Sequence, residues 1–235
     1  MISRRQSKPL LLRNDRWRSR LEQLLGELST EITPEEFHEI RESLGRLATW
    51  LRLAGLRSIR ERVKLLRRAV GPVRDLDVVR EQLSAPDRKD LDRERRRRGE
   101  EARSRLLGAS TQTLLQELRD APVVNYAAAE QETRHLGRRV AKAGASFAAT
   151  PTRAHAHLLR RRLRDYRFAR EWLGRTTARL KPLIRRLGQL NDEALVRPVL
   201  EDRKANEDGS DSDAAGRLLK ECLVEWKSLR GEIRD

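Results

Sequence analysis

Two stretches of the chain set a histidine and a file of arginines at helical spacing: His157, Arg160, Arg164 and Arg167, and His38, Arg41, Arg46 and Arg52. On a helix turning about 100° per residue, His157, Arg160, Arg164, Arg167 and Glu171 fall within a sector of about 80°. Leu159, Leu163 and Tyr166 lie roughly opposite. Counted from His38, Arg41 and Arg52 fall in the matching sector and Arg46 lies about 80° to the other side, while Ile40, Leu44, Leu47 and Leu51 form the apolar face. A third row, Arg60, Lys64 and Arg67, is opposed to Ile59, Val63 and Leu66.

Such rows suit one kind of chemistry. A guanidinium offers a planar fork of donors that matches the oxygens of phosphate, and an imidazole beside phosphate is favoured in its doubly donating, charged form. Solvent-facing helix sides usually alternate in sign, because like charges at helical spacing cost a few tenths of a kcal/mol each. Rows of mostly one sign are easier to understand if an anion offsets that cost. For the two histidines, ligand contact and structural capping both remain open.

The elements that position these rows read as helices throughout. Apolar spacing predicts helices near 10–28, 34–54, 56–70, 74–84, 87–120, 129–146, 152–173, 176–188, 191–201 and 213–231, with no strand. Thr33-Pro34 and Thr150-Pro151 open helices, Gly71-Pro72 and Ala85-Pro86 interrupt, and Ala121-Pro122 breaks the chain near its middle. An internal repeat spans that break. Gly71-Pro72-Val73-Arg74-Asp75 follows His38 at a distance (38 to 71) close to that from His157 to Gly188-Gln189-Leu190-Asn191-Asp192 (157 to 188). The expected organisation is one domain over 1–235, with helical halves of about 10–121 and 122–235. Residues 202–212 read as an exposed loop, acidic over 207–213.

Composition agrees. The 235 residues carry 52 Lys plus Arg against 36 Asp plus Glu, a formal charge of +16, so the surface field attracts polyanions. Only 4% are aromatic, which is lean for a sheet core and suits an all-α fold. The single Cys222 excludes an intrachain disulfide framework and fits a small core residue in a reducing cytoplasm. No apolar run approaches the roughly 18 residues of a membrane span, so no membrane partner is expected.

Together these residues resemble the CHAD family, named for a conserved-histidine α-helical domain. The likeness rests on His38-x-x-Arg41 with Arg46-Leu47, Gly71-Pro72-Val73-Arg74-Asp75-Leu76-Asp77-Val78, His157-x-Leu159-Arg160 with Arg164, Arg167 and Glu171, and Leu187-Gly188-Gln189-Leu190-Asn191-Asp192. It implies two four-helix-type bundles related by an internal pseudo-twofold, a basic central surface, and binding of inorganic polyphosphate, often at polyphosphate granules. Gly45 and Ala48 stand where the family's first stripe usually carries further basic residues, and Phe168 replaces the usual Tyr, which implies a weaker grip by the first half. Asp75, Asp77 and Asp192 are expected to cap helix N-termini and to pair with Arg74 rather than to catalyse.

Three rivals draw on the same residues. A phosphoanhydride-cleaving enzyme would need an acidic barrel strand or a Walker-type glycine loop, and neither motif occurs, so no catalysis and no cofactor are expected. A metal site has only His155-x-His157 and Cys222 to build on, and the two histidines point about 200° apart on a helix. Nucleic-acid binding is the alternative function, with Arg93-Glu94-Arg95-Arg96-Arg97-Arg98 as its footprint. Trp17, Trp50, Trp172 and Trp226 sit mostly on apolar faces, which leaves few platforms for base stacking.

Overall fold

The computed structural model describes residues 11–83, 88–204 and 212–233. The expected break at Ala85-Pro86 and the acidic stretch up to residue 211 lie outside them. In chain order the elements are β1 (Leu11–Leu12), α1 (Asp15–Gly26), α2 (Pro34–Leu53), α3 (Arg57–Ala69), α4 (Gly71–Glu81), α5 (Lys89–Leu107), α6 (Ala109–Arg119), β2 (Val124–Asn125), α7 (Tyr126–Ala149), α8 (Arg153–Trp172), α9 (Leu180–Lys204) and α10 (Ser212–Leu229). The all-α expectation holds.

Local chemistry sets where the two stripe helices begin. Thr33 caps α2 in a reciprocal box: the Glu36 N–H donates to Thr33 Oγ1 (3.2 Å) and the Thr33 N–H donates to the Glu36 carboxylate (2.7 Å), with Pro34 in the first turn. Thr152 caps α8 by accepting from the His155 N–H (3.3 Å). Each of these helices ends just before a glycine of positive φ, Gly55 (φ 72°) and Gly174 (φ 69°), a left-handed conformation that glycine adopts without strain. His38 and His157, Arg41 and Arg160, and Gly55 and Gly174 share one spacing (38 to 157, 41 to 160, 55 to 174), so the two helices correspond from cap to turn.

The boundaries differ from the sequence reading in three places. The expected helix over 87–120 divides at Gly108, whose extended backbone ends α5 and starts α6; a Cβ there would come within 3.1 Å of the Ser104 carbonyl oxygen. The expected helices 176–188 and 191–201 are one, α9, running through Gly188. The chain at 11–12 is extended and pairs antiparallel with 124–125. Asn14 anchors this entry by donating to the Leu118 carbonyl (2.7 Å), and Trp50 Nε1 donates to the Leu12 carbonyl (3.4 Å).

The buried apolar residues of both halves form one continuous cluster that crosses the midpoint, built on Phe37, Ile40, Leu44 and Leu47 of α2 and Ala156, Leu159, Leu163 and Tyr166 of α8. Those faces match the apolar sides read from the sequence. A small second cluster of Val79, Leu83 and Val196 joins α4 to α9. Cys222 is a buried core residue, its thiol pushed up to about 11 by burial. At the α7–α10 contact, Gly144 makes room for the Trp226 ring, which a Cβ would overlap. Since α2 packs on α8 and α4 on α9, the elements that carry the repeated motifs face one another.

Candidate functional site

The basic sides of α2 and α8 turn toward a common cavity of about 390 Å³, closed by α3, α4 and α9. α2 supplies His38, Arg41 and Glu42, α8 supplies Arg160, Arg164 and Arg167, α3 supplies Arg67, and α4 supplies Arg74. Lys181, Arg185, Gly188, Gln189 and Asp192 line it from α9. Eight cationic side chains thus face two carboxylates, Glu42 and Asp192.

Two of the arginines lie against glycines of neighbouring helices. Arg41 Nη1 donates to the Gly71 carbonyl (3.3 Å) and would lie 3.5 Å from a Cβ at Gly71. Arg160 lies against Gly188 in the same way, at 3.4 Å. Arg41 and Arg160, each three residues after a histidine, thus each contact a glycine of the motif that follows in sequence.

The inner arginines are packed together with little compensation. Arg67 Nε donates to the Arg41 carbonyl (3.2 Å), while the Nε groups of Arg160 and Arg164 are buried without a hydrogen-bond acceptor. Burial first, and then the charges of Arg67, Arg160 and Arg41, lower Arg164 to about 9, with Asp165 opposing. Burial, with Arg41 and Arg160, lowers Arg67 to about 10. Arg41 and Arg160 are lowered as well, chiefly by burial. Charge that is costly to hold in this way is charge that an entering anion stabilises.

The outer arginines are already paired. Arg74 bonds Asp192 (2.8 Å) and reaches Asp75 (3.4 Å). Arg167 bonds Glu42 (3.1 Å) and pairs with Glu171 (3.2 Å).

Not every residue read from the sequence reaches the cavity. Arg46 is only 9% exposed, pairs with Glu42 and Glu171, and lies between the rings of Trp17 (4.2 Å) and Phe168 (4.6 Å). It clasps α2 to α8. Arg52 donates to Glu132 (2.6 Å) and Lys64 pairs with Glu61 (2.7 Å). Of the third row only Arg67 lines the cavity, and Arg60 does not. His38 is an exposed residue on the cavity wall, whereas His157 is exposed beside it with Nδ1 2.9 Å from Asn191 Oδ1. Asp75 and Asp77 lie within α4 and make no N-terminal cap, and Asp77 pairs with Arg95 (2.5 Å) instead of Arg74.

Lys181 and Arg185 were missed. Lys181, Arg185, Gly188 and Asp192 share one face of α9 at steps of four, three and four residues, a pattern hidden when that helix was cut at Gly188.

Residues 15–201 match the CHAD domain. The chain belongs to the CHAD family. A similar fold is seen in the crystal structure of the CHAD domain from the plant Ricinus communis, with a TM-score of 0.62 and 16% sequence identity over 99% of this chain and 92% of that one. No curated protein matches the sequence. Most of the cavity is built from the segments on which the CHAD resemblance rested, and Arg67 of α3 with Lys181 and Arg185 of α9 add to them. Among the described residues no group of three or more His, Cys, Asp or Glu is placed to hold a metal ion, and no helix is long and apolar enough to cross a membrane.

Proposed function

We propose that this protein binds inorganic polyphosphate in the α2–α8 cavity, without catalysis, and that binding docks it on polyphosphate granules in the cytoplasm. The observation that carries this reading is the inner cluster of Arg41, Arg67, Arg160 and Arg164, all lowered chiefly by burial and none ion-paired to a carboxylate among the described residues. A phosphoryl chain offers closely spaced oxygens and no bases, which suits walls made of guanidinium groups. Membership of the CHAD family supports the same ligand. The two carboxylates on the wall hold arginines, an arrangement suited to binding rather than to proton transfer. Nucleic acid is less well served: Trp50 and Trp226 are buried, and the 93–98 run is largely neutralised by its own acids.

The test is titration of labelled long-chain polyphosphate into the wild type, an Arg160→Gln/Arg164→Gln variant, and an Arg93→Glu/Arg97→Glu variant of the exposed α5 face. The cavity variant is expected to lose at least about tenfold in affinity, as two charge-assisted contacts are removed. The α5 variant should stay within about twofold, since its arginines are exposed and paired. Equal losses would overturn the site assignment. Nucleic acid displacing polyphosphate at equal charge and physiological salt would overturn the ligand.

A further inference from the structure

The cavity arginines divide into two classes by position. In the middle lie Arg67 and Arg164, held by a backbone carbonyl or by no acceptor. At one end Asp192 holds Arg74, and Arg41 and Arg160 feel the charges of both. At the other end Glu42 holds Arg167. Along α8 the two ends, marked by Arg160 and Arg167, are seven residues or roughly 10 Å apart. A small anion can satisfy the middle and disturb neither carboxylate. A longer one must take Arg74 and Arg167 from their partners and bring its own charge beside two acids.

We propose that Glu42 and Asp192 are specificity-determining residues, internal anions that occupy the two ends of the cavity and make longer phosphoryl chains compete for Arg167 and Arg74. The inference rests on the polyphosphate reading above. Glu42 is suited to the exchange because it also pairs with Arg46, so it can give up Arg167 without losing every cation. The two acids thereby set how much of a chain's length is rewarded. Removing them should tighten the grip on a long chain more than on a short anion and so steepen the dependence of affinity on length.

The experiment uses the full chain and two probes, pyrophosphate and long-chain polyphosphate, with Glu42→Gln, Asp192→Asn and wild type compared by calorimetric titration. Each substitution keeps the side chain's shape and removes its charge. The expected result is roughly three- to tenfold tighter binding of long chains by each variant, with a clearly smaller gain on pyrophosphate. An equal gain on both probes would reduce the acids to a uniform background field and overturn the inference, as would unchanged or weaker long-chain binding. Asp192→Asn tests the other end on its own, and melting curves identify a variant that gains or loses affinity through its fold. A wild type that binds no polyphosphate removes the parent reading and this one together. A wild type that binds, with variants that do not gain, removes only this one.

Discussion

Arginine is dense in two regions of this protein, the 93–98 face of α5 and the cavity between α2 and α8, and the two are neutralised in opposite ways. On α5 the acids stand three or four residues from the arginines: Arg97 pairs with Glu94 and Glu101, Arg98 with the same two, and Arg93 with Asp90. Those spacings bring side chains together on any helix, so the most basic run in the sequence largely cancels itself. In the cavity the inner arginines come from three helices and lie side by side, and no carboxylate of the described residues forms an ion pair with them, Asp75, Asp165, Asp192 and Glu42 acting only from a distance. Density of basic residues therefore says little about where an anion would bind. The number of acids that tertiary structure brings within reach decides it.

The comparison is sharpest within α5. Arg95 leaves the surface to pair with Asp77 (2.5 Å) and to donate to the Ile32 carbonyl (3.0 Å), with 12% and 8% of the two side chains exposed. Arg95→Ala strands a buried carboxylate and is expected to cost about 3–5 kcal/mol of folding stability. Arg97→Ala, on the exposed side, should cost less than about 1 kcal/mol. Urea unfolding of the two variants checks both, and similar losses would break the division of α5 into one structural and several solvated arginines.

Gly45 and Ala48 are where the α2 stripe departs from the α8 stripe. By the spacing that relates His38 to His157, they correspond to Arg164 and Arg167 (45 to 164, 48 to 167). A Cβ at Gly45 would come within 3.0 Å of the Phe168 ring and 3.6 Å of the Arg67 guanidinium, so the small residue admits α8 and the arginine of α3 to the same place. The first stripe is not simply weakened, because Arg67 arrives from elsewhere. Gly45→Arg, which would restore the second arginine to α2, is expected to destabilise by about 1–3 kcal/mol through overpacking and to lower polyphosphate affinity by displacing Arg67. Tighter binding with unchanged stability would show instead that the site lacks an arginine on this side.

Much of this was legible in the sequence, and what was not has physical reasons. The α8 stripe could be read because its residues share one helix, where angle follows from spacing; Arg160, Arg164 and Arg167 all reach the cavity. Arg46 was counted with the binding residues although its angle lay off the α2 stripe, and it is instead buried between Trp17 and Phe168. Arg60 and Lys64 could not be separated from Arg67, because which part of α3 meets the cavity depends on how that helix crosses its neighbours. The Asp77–Arg95 pair joins α4 to α5, and no periodicity within one helix reports such a contact.

The smallest expected effect separates the two regions by pH. In the folded, ligand-free protein Arg164 is lowered to about 9 and Arg67 to about 10, both well below the ordinary guanidinium range. A lowered base binds fewer protons folded than unfolded between its two values, so its contribution to stability rises with pH above about 9 and the cost of charging it is fully present below. On α5, Glu94 is lowered to about 2 from 4.5 by hydrogen bonds from Arg97 and Arg98, so its contribution is present above 4.5 and lost as pH falls toward 2. Arg97 is raised by its hydrogen bond to Glu94, so its contribution is lost only at strongly alkaline pH, beyond the ordinary guanidinium range. The cavity thus acts on the alkaline limb and the α5 face on the acid limb. Unfolding free energies measured between pH 8 and 10.5 should show wild type gaining on Arg164→Gln by at most about 1 kcal/mol per pH unit above 9. Bound polyphosphate should remove that gain, because it stabilises the charged guanidinium through the same range. A wild type and variant that run parallel across this window would mean that the cavity arginines carry their charge at no cost and that the contrast with α5 is only one of geometry.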